Sequence, residues 1–99
     1  PFRAFVAEQA ALGRDLGVDH LLVLHWLLRH PELPLDEAAR LIQRPESVAR
    51  EALAEMEVQW GVLERGGAGR GTYWMLDPAV HRRLAAHGLP ERDRRIEWE

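Results

Sequence analysis

The stretch that decides the fold is LDEAARLIQRPESVAREALAEMEVQWGVLERGGAGRGTYWML, residues 35–76. Its first half has apolar residues at helical spacing on both sides of a break at Gln43, Arg44 and Pro45. This pattern predicts a short helix, a tight turn, and then a helix of about 14 residues that ends at Gly61. After Gly61 the helical period gives way to strand-like segments, because VLER and TYWML flank the glycine-rich turn GGAGRG. The stretch therefore predicts two helices around a tight turn, followed by a β-hairpin.

The flanking sequence predicts three more helices around this unit. A leading helix is expected over 2–12, and an apolar core helix over 19–30 with Asp19 as its N-cap. A closing helix over 78–87 is expected to be capped by Asp77. The chain therefore predicts one mainly α domain with a small β-hairpin (α+β) over 1–90, of which 36–60 form a helix-turn-helix and 62–76 a wing. Residues 91–99, which include Trp98, are expected to be a linker toward a following domain.

An alanine-rich short helix, a break, a long helix ending in WGVLE, and a Gly/Arg-rich tip followed by TYW resemble the winged helix-turn-helix segments of bacterial transcriptional regulators. The resemblance is to segments that follow Schlafen-like AlbA and ATP-binding domains, some of them helicase-related. It implies a DNA-binding module appended to a larger sensory or ATP-binding part. That larger part is not in this sequence, so no nucleotide binding is expected here.

The resemblance implies that the third helix enters the major groove of double-stranded DNA and that the wing lies along the backbone. The predicted contact residues come from the turn, the exposed side of the third helix and the wing. They are Arg44, Glu46, Ser47, Arg50, Glu51, Arg65 and Arg70. The four arginines among them are the strongest candidates, since a guanidinium presents a planar fork of donors to a phosphate.

The charge of the chain argues against strong nucleic-acid binding. The formal net charge is −3, and residues 36–76 hold five arginines against seven acidic residues. Glu46 lies four residues before Arg50, which is the favourable order for an ion pair on a solvated helix surface. The alternative function is therefore a protein–protein interaction or dimerisation module that uses the same fold and an acidic third helix. Neighbouring domains of a longer chain or a second copy are its expected partners.

Several other functions are not expected. The chain has no cysteine, and no run approaches the roughly 18 apolar residues of a membrane span, which predicts a cytoplasmic domain without a membrane partner. His20, His25 and His30 spread around their helix, so no metal site is expected, and His25 is interpreted as a core or boundary residue. Three tryptophans are interpreted as core anchors. No dyad of nucleophile and base is present, so neither catalysis nor a cofactor is predicted.

Overall fold

The computed structural model describes residues 2–85, and the elements below all lie in that range. The helices and strands are given in chain order: α1 Phe2–Ala11, α2 Val18–Leu27, β1 Leu33–Pro34, α3 Leu35–Ile42, α4 Glu46–Ala54, β2 Leu63–Gly66, β3 Tyr73–Leu76 and α5 Pro78–Ala85. A π-helical turn over Glu55–Gln59 continues α4, and a 3₁₀ turn over Gly69–Gly71 forms the wing tip. The predicted linker, the end of the predicted closing helix and Trp98 lie outside the described residues.

The helix-turn-helix forms where the sequence predicts it. Gln43 ends α3 in the left-handed conformation with φ 58°, and Gly61 follows the π-helical turn with φ 67°. The α-helix and π-helical turn together cover 14 residues, the predicted length. Pro45, in the predicted break, is the N-cap of this helix and has an extended ψ of 155°.

A π-helical turn was not predicted at the end of α4. There the Trp60 N–H donates to the Glu55 carbonyl at 3.1 Å, five residues back, and the Val62 N–H donates to the Met56 carbonyl at 2.9 Å. These two bonds satisfy carbonyls that the end of a helix leaves without partners. They also direct the chain from α4 into β2.

The sheet has three antiparallel strands in the order β1-β3-β2, whereas the sequence predicted only the hairpin. In the additional strand, Leu33 lies opposite Trp74 and Pro34 opposite Tyr73. A proline is tolerated in β1 because this is an edge strand. The N–H groups on its outer side have no partner within the sheet, so the missing N–H of a proline costs no sheet hydrogen bond. Gly67 is required in the wing by its φ of +71°, and an added Cβ would lie 2.1 Å from the Gly71 carbonyl oxygen.

One hydrophobic core joins α2, α3, α4 and the sheet, and α1 and α5 also contribute to it. Its largest fully buried side chains are Trp74, Phe5, Leu24, Leu33, Leu53, Met56 and Val23. Trp74 and Leu76 are both buried on the same face of β3, as predicted, while Trp26 and Trp60 are half-buried at the edge of the core. The helical face of the helix-turn-helix opposite this core is left to solvent.

The start of α2 differs from the prediction. The helix begins at Val18, so Gly17 is the N-cap and Asp19 lies in the first turn. The Gly17 N–H donates to His20 Nδ1 at 3.0 Å, which leaves the Asp19 carboxylate available for another partner. Asp77 does cap α5, since its carboxylate accepts from the Ala79 N–H at 3.0 Å.

Other differences concern the end and the outer face of α2. The helix ends at Leu27, three residues before the predicted end, and the chain then turns toward β1. His25 is exposed, so its interpretation as a core or boundary residue was wrong. Val23, Leu24 and Leu27 form the buried face, and the apolar residues on other sides of the helix are only partly covered.

Candidate nucleic-acid interface

Arg50 lies in the middle of α4 and is exposed, on the flank of the helix beside the face that Ala49 and Leu53 bury. The helix packs on α3 through its small and apolar residues, so its polar side chains lie on the flanks and the outer face. Arg50 forms no ion pair with any residue between 2 and 85, so the predicted pair with Glu46 is not formed. Its guanidinium is therefore free of an internal carboxylate within the described chain.

Arg50 and Arg70 line the same groove, although twenty residues separate them in the sequence. The groove lies between the start of α3, α4 and the wing tip, and has a volume of about 640 Å³. Arg70 is exposed in the 3₁₀ turn, where the Thr72 hydroxyl donates to the Gly69 carbonyl at 2.8 Å and fastens the tip. Glu46 and Asp36 line the same groove, so its charge is mixed.

Arg44 lies in the turn between α3 and α4, and its guanidinium is bound within the molecule. Its Nε donates to Asp19 Oδ2 at 3.1 Å, which links the turn to the first turn of α2. The Arg44 side chain is nevertheless 55% exposed. A phosphate could reach it from solvent, but it would compete with the Asp19 carboxylate for the same donor.

Arg65 on β2 is also paired with a carboxylate. Its Nε lies 3.8 Å from Glu57 Oε2, and the other oxygen of Glu57 accepts from Trp74 Nε1 at 3.2 Å. Glu57 thus satisfies the indole N–H of the buried tryptophan and partly neutralises the wing arginine. This second role could not be read from the sequence, since the three residues come from three different elements.

Ser47 and Glu51 complete the predicted contact set. Both are exposed on α4, as expected for the outer face of this helix. Glu51 does not line the groove of Arg50 and Arg70. It lines a second groove of about 700 Å³ with Val48, Val58 and Glu55. The outer surface of α4 therefore faces two different grooves, one toward the wing and one toward the start of α2.

His20 is a contact residue of the second groove that sequence reasoning missed. Because the Gly17 N–H donates to Nδ1, the proton of the neutral ring is on Nε2, which lies 3.1 Å from Glu55 Oε1. The ring also lies 4.7 Å from the ring of Trp60. His20 thereby links the start of α2 to the π-helical turn, a link that no sequence motif indicates.

Comparison with solved structures finds the same arrangement of helices and strands in a transcriptional regulator. A MarR family transcriptional regulator from Silicibacter pomeroyi superposes with a TM-score of 0.58 and 21% sequence identity. The fold is that of a winged helix-turn-helix domain. The match covers 95% of this chain and 63% of the regulator, so the chain spans less than two thirds of that protein. No protein-family profile matches the chain, and no curated protein sequence matches it.

Within residues 2–85, no helix has the length and apolar character needed to cross a membrane. In the same residues, no group of three or more histidine, cysteine or acidic side chains is arranged to hold a metal ion.

Proposed function

We propose that this winged helix is the DNA-binding module of a transcriptional regulator. The observation that carries the proposal is that Arg50 on α4 and Arg70 on the wing tip line the same open groove. Neither arginine has an ion pair within the described chain. In the proposed complex α4 enters the major groove with Arg50 at a base edge or phosphate, and Arg70 binds the backbone.

The remaining predicted residues have smaller roles in this proposal. Arg44 and Arg65 contact phosphates once they leave Asp19 and Glu57, while Ser47 donates to a phosphate at the start of α4. Glu46 and Glu51 oppose the backbone charge and restrict binding to sequences where a carboxylate can accept from a cytosine amino group. The module itself is non-enzymatic and cytoplasmic in this proposal. The AlbA-type or ATP-binding neighbour stays a prediction from sequence resemblance.

The test is salt-dependent binding of a fluorescently labelled random-sequence duplex, followed by anisotropy. On a random-sequence duplex both arginines bind phosphates, since non-specific binding rests on the backbone charge. The double variant Arg50→Gln/Arg70→Gln should therefore lose most of the affinity and reduce the slope of log K against log salt by about 1.8, at 0.9 per phosphate contact. Arg3→Gln is the matched control, since Arg3 is exposed on α1 and lines neither groove. Equal slopes for the double variant and the control would refute the proposed contact surface.

A second candidate function is a protein interaction surface at the groove between α4 and the start of α2. Val58 is 74% exposed there and Val48 37% exposed, with Glu51 and Glu55 beside them. Exposed apolar side chains rimmed by carboxylates favour a partner with apolar and basic groups. The same carboxylates repel each other when two copies present this face, so a different protein or domain fits better than a symmetric dimer.

Sedimentation velocity tests whether this second candidate surface binds another copy of the chain or a different protein. A dimer that weakens in Val58→Glu, but not in Leu12→Glu at the exposed turn after α1, would place self-association at this groove. A monomer across the concentration series would exclude the homodimer. The DNA proposal does not depend on this outcome, because Val58 lies outside the groove of Arg50 and Arg70.

A further inference from the structure

A second concentration of basic side chains lies in a cleft away from α4 and the wing tip. The cleft has a volume of about 460 Å³ and lies between the end of α2, β3 and the start of α5. Arg29 and His30 come from the segment that follows α2, and His81 and Arg82 come from α5. It shares no lining residue with the groove of Arg50 and Arg70.

The charges of this cleft are not balanced by nearby carboxylates. None of the described residues that line it is acidic, and neither Arg29 nor Arg82 forms an ion pair with a described residue. Two acids adjoin lining residues along the chain. Asp77 caps α5, where it accepts from the Ala79 N–H at 3.0 Å, and Glu32, which follows Pro31, is exposed and does not line the cleft. Two arginines and two histidines therefore line one cleft, although the formal net charge of the whole chain is −3.

The walls of the cleft are held in place before any ligand arrives. The His30 ring stacks on Trp26 with 3.9 Å between ring centroids, and Trp26 Nε1 donates to the Glu32 carbonyl at 3.4 Å. Pro31 and Pro78 lie in the two walls and fix the backbone beside the basic side chains. Such preorganisation lowers the entropy lost when an anion is bound.

The floor of the cleft is apolar. Its accessible surface comes from the half-buried Met75 on β3 and Leu28 after α2, while the core residues Leu27 and Leu76 are only 3% and 6% exposed. A phosphate of a DNA backbone needs no such floor, whereas a small molecule with an apolar ring would cover it. The volume also lies in the range of about 300–1,000 Å³ that is usual for small-molecule sites.

We propose that this cleft binds a small phosphate monoester that carries an apolar ring. The two guanidinium groups provide planar forks for the phosphate oxygens, and each imidazole adds a ring N–H donor. A monocarboxylate has a single negative charge and fewer acceptor oxygens, so it uses this set of donors less fully. The ring of the ligand lies on Met75 and Leu28.

Phenyl phosphate is the probe that tests the proposal, with the ring C–H resonances of His30 and His81 followed by NMR during titration of the full chain. We expect both histidines to shift together and to saturate. Arg29→Gln and Arg82→Gln should each weaken binding at least about tenfold, because each removes a charge-assisted contact. Arg3→Gln should leave it unchanged, since Arg3 lies on α1 and does not line the cleft.

Three comparisons decide the chemistry of the ligand. Inorganic phosphate should bind more weakly than phenyl phosphate, because it leaves the apolar floor uncovered. Benzoate binding as tightly as phenyl phosphate would overturn the phosphate assignment, and so would saturation by a DNA duplex at the same histidines. Equal effects of Arg29→Gln, Arg82→Gln and Arg3→Gln would overturn the site itself.

Discussion

Replacing Asp19 by asparagine is expected to strengthen duplex binding. In the free protein the Asp19 carboxylate holds Arg44 Nε at 3.1 Å, at the turn that precedes α4. For Arg44 to bind a phosphate with its full fork of donors, this ion pair must open. Asparagine keeps the shape of the side chain but removes the charge, so Asp19→Asn releases Arg44 at little steric cost.

The size of the gain follows from the exposure of the pair. Arg44 is 55% exposed and Asp19 25%, and ion pairs near the surface contribute about 0.2–1 kcal/mol. Since 1.4 kcal/mol corresponds to a tenfold change, the affinity should rise about 1.4- to 5-fold. One more neutralised phosphate should also steepen the salt slope by about 0.9. Asp19 lies in the first turn of α2, so losing its charge should cost about 0.3–1 kcal/mol of stability.

The assay is a salt series of duplex anisotropy measurements on four proteins: the parent, Asp19→Asn, Arg44→Gln and the double variant. Asp15→Asn is the matched control, because it removes the same charge from an exposed residue that pairs with no arginine among residues 2–85. The gain should be absent in the Arg44→Gln background and small in the control. An equal gain in the control would mean that net charge alone explains it, and no gain in Asp19→Asn would refute the role of Arg44.

Three further predictions concern the wing, the core and the contact between α1 and α5. Gly67→Ala should destabilise the wing by more than about 1 kcal/mol and weaken duplex binding, because of its φ of +71°. Gly71→Ala, with open space around the added Cβ, is the near-neutral control in thermal unfolding. Leu53→Ala, at a fully buried position, should cost about 2–5 kcal/mol in denaturant unfolding, and a loss below about 1 kcal/mol would contradict its place in the core. The hydrogen bond from Arg83 lowers the pKa of Glu8, so Arg83→Gln should raise that pKa toward its ordinary value in an NMR titration. This contact should stabilise the fold above the ordinary glutamate pKa and be lost as pH falls through the lowered one.

The helix-turn-helix and wing could be predicted because their signals are local. The helical period around Ala49 and Leu53, the break at Pro45 and the glycine at position 61 each act within a few residues. The strand Leu33–Pro34 had no such signal, since two residues cannot show alternation and proline argues against a strand. Its formation depends on pairing with β3, about forty residues later.

The sequence could nominate residues for the candidate site, but it could not show their ion pairs. The sequence indicated Arg50 as the base or phosphate contact of the third helix and Arg44, Arg65 and Arg70 as phosphate ligands at the turn and wing. The structure divides them differently, because Arg44 and Arg65 are paired with carboxylates and Arg50 and Arg70 are not paired within residues 2–85. Asp19 lies 25 residues before Arg44, and Glu57 reaches Arg65 from the π-helical turn. Long-range ion pairs of this kind depend on tertiary packing, so the spacing of charges along the chain cannot show them.

This division changes how the charge of the motif bears on function. Counting five arginines against seven acids treats every charge as available to a ligand, yet Arg40, Arg44 and Arg65 already face carboxylates of their own chain. With Arg50 and Arg70 alone, the salt slope should be near −1.8, whereas all four predicted ligands would give about −3.6. A measured slope near the smaller value would mean that the internal pairs survive in the complex and that affinity depends on the groove between α4 and the wing. A slope near the larger value would mean that DNA opens both pairs, so that Asp19 and Glu57 compete with the phosphates for these arginines.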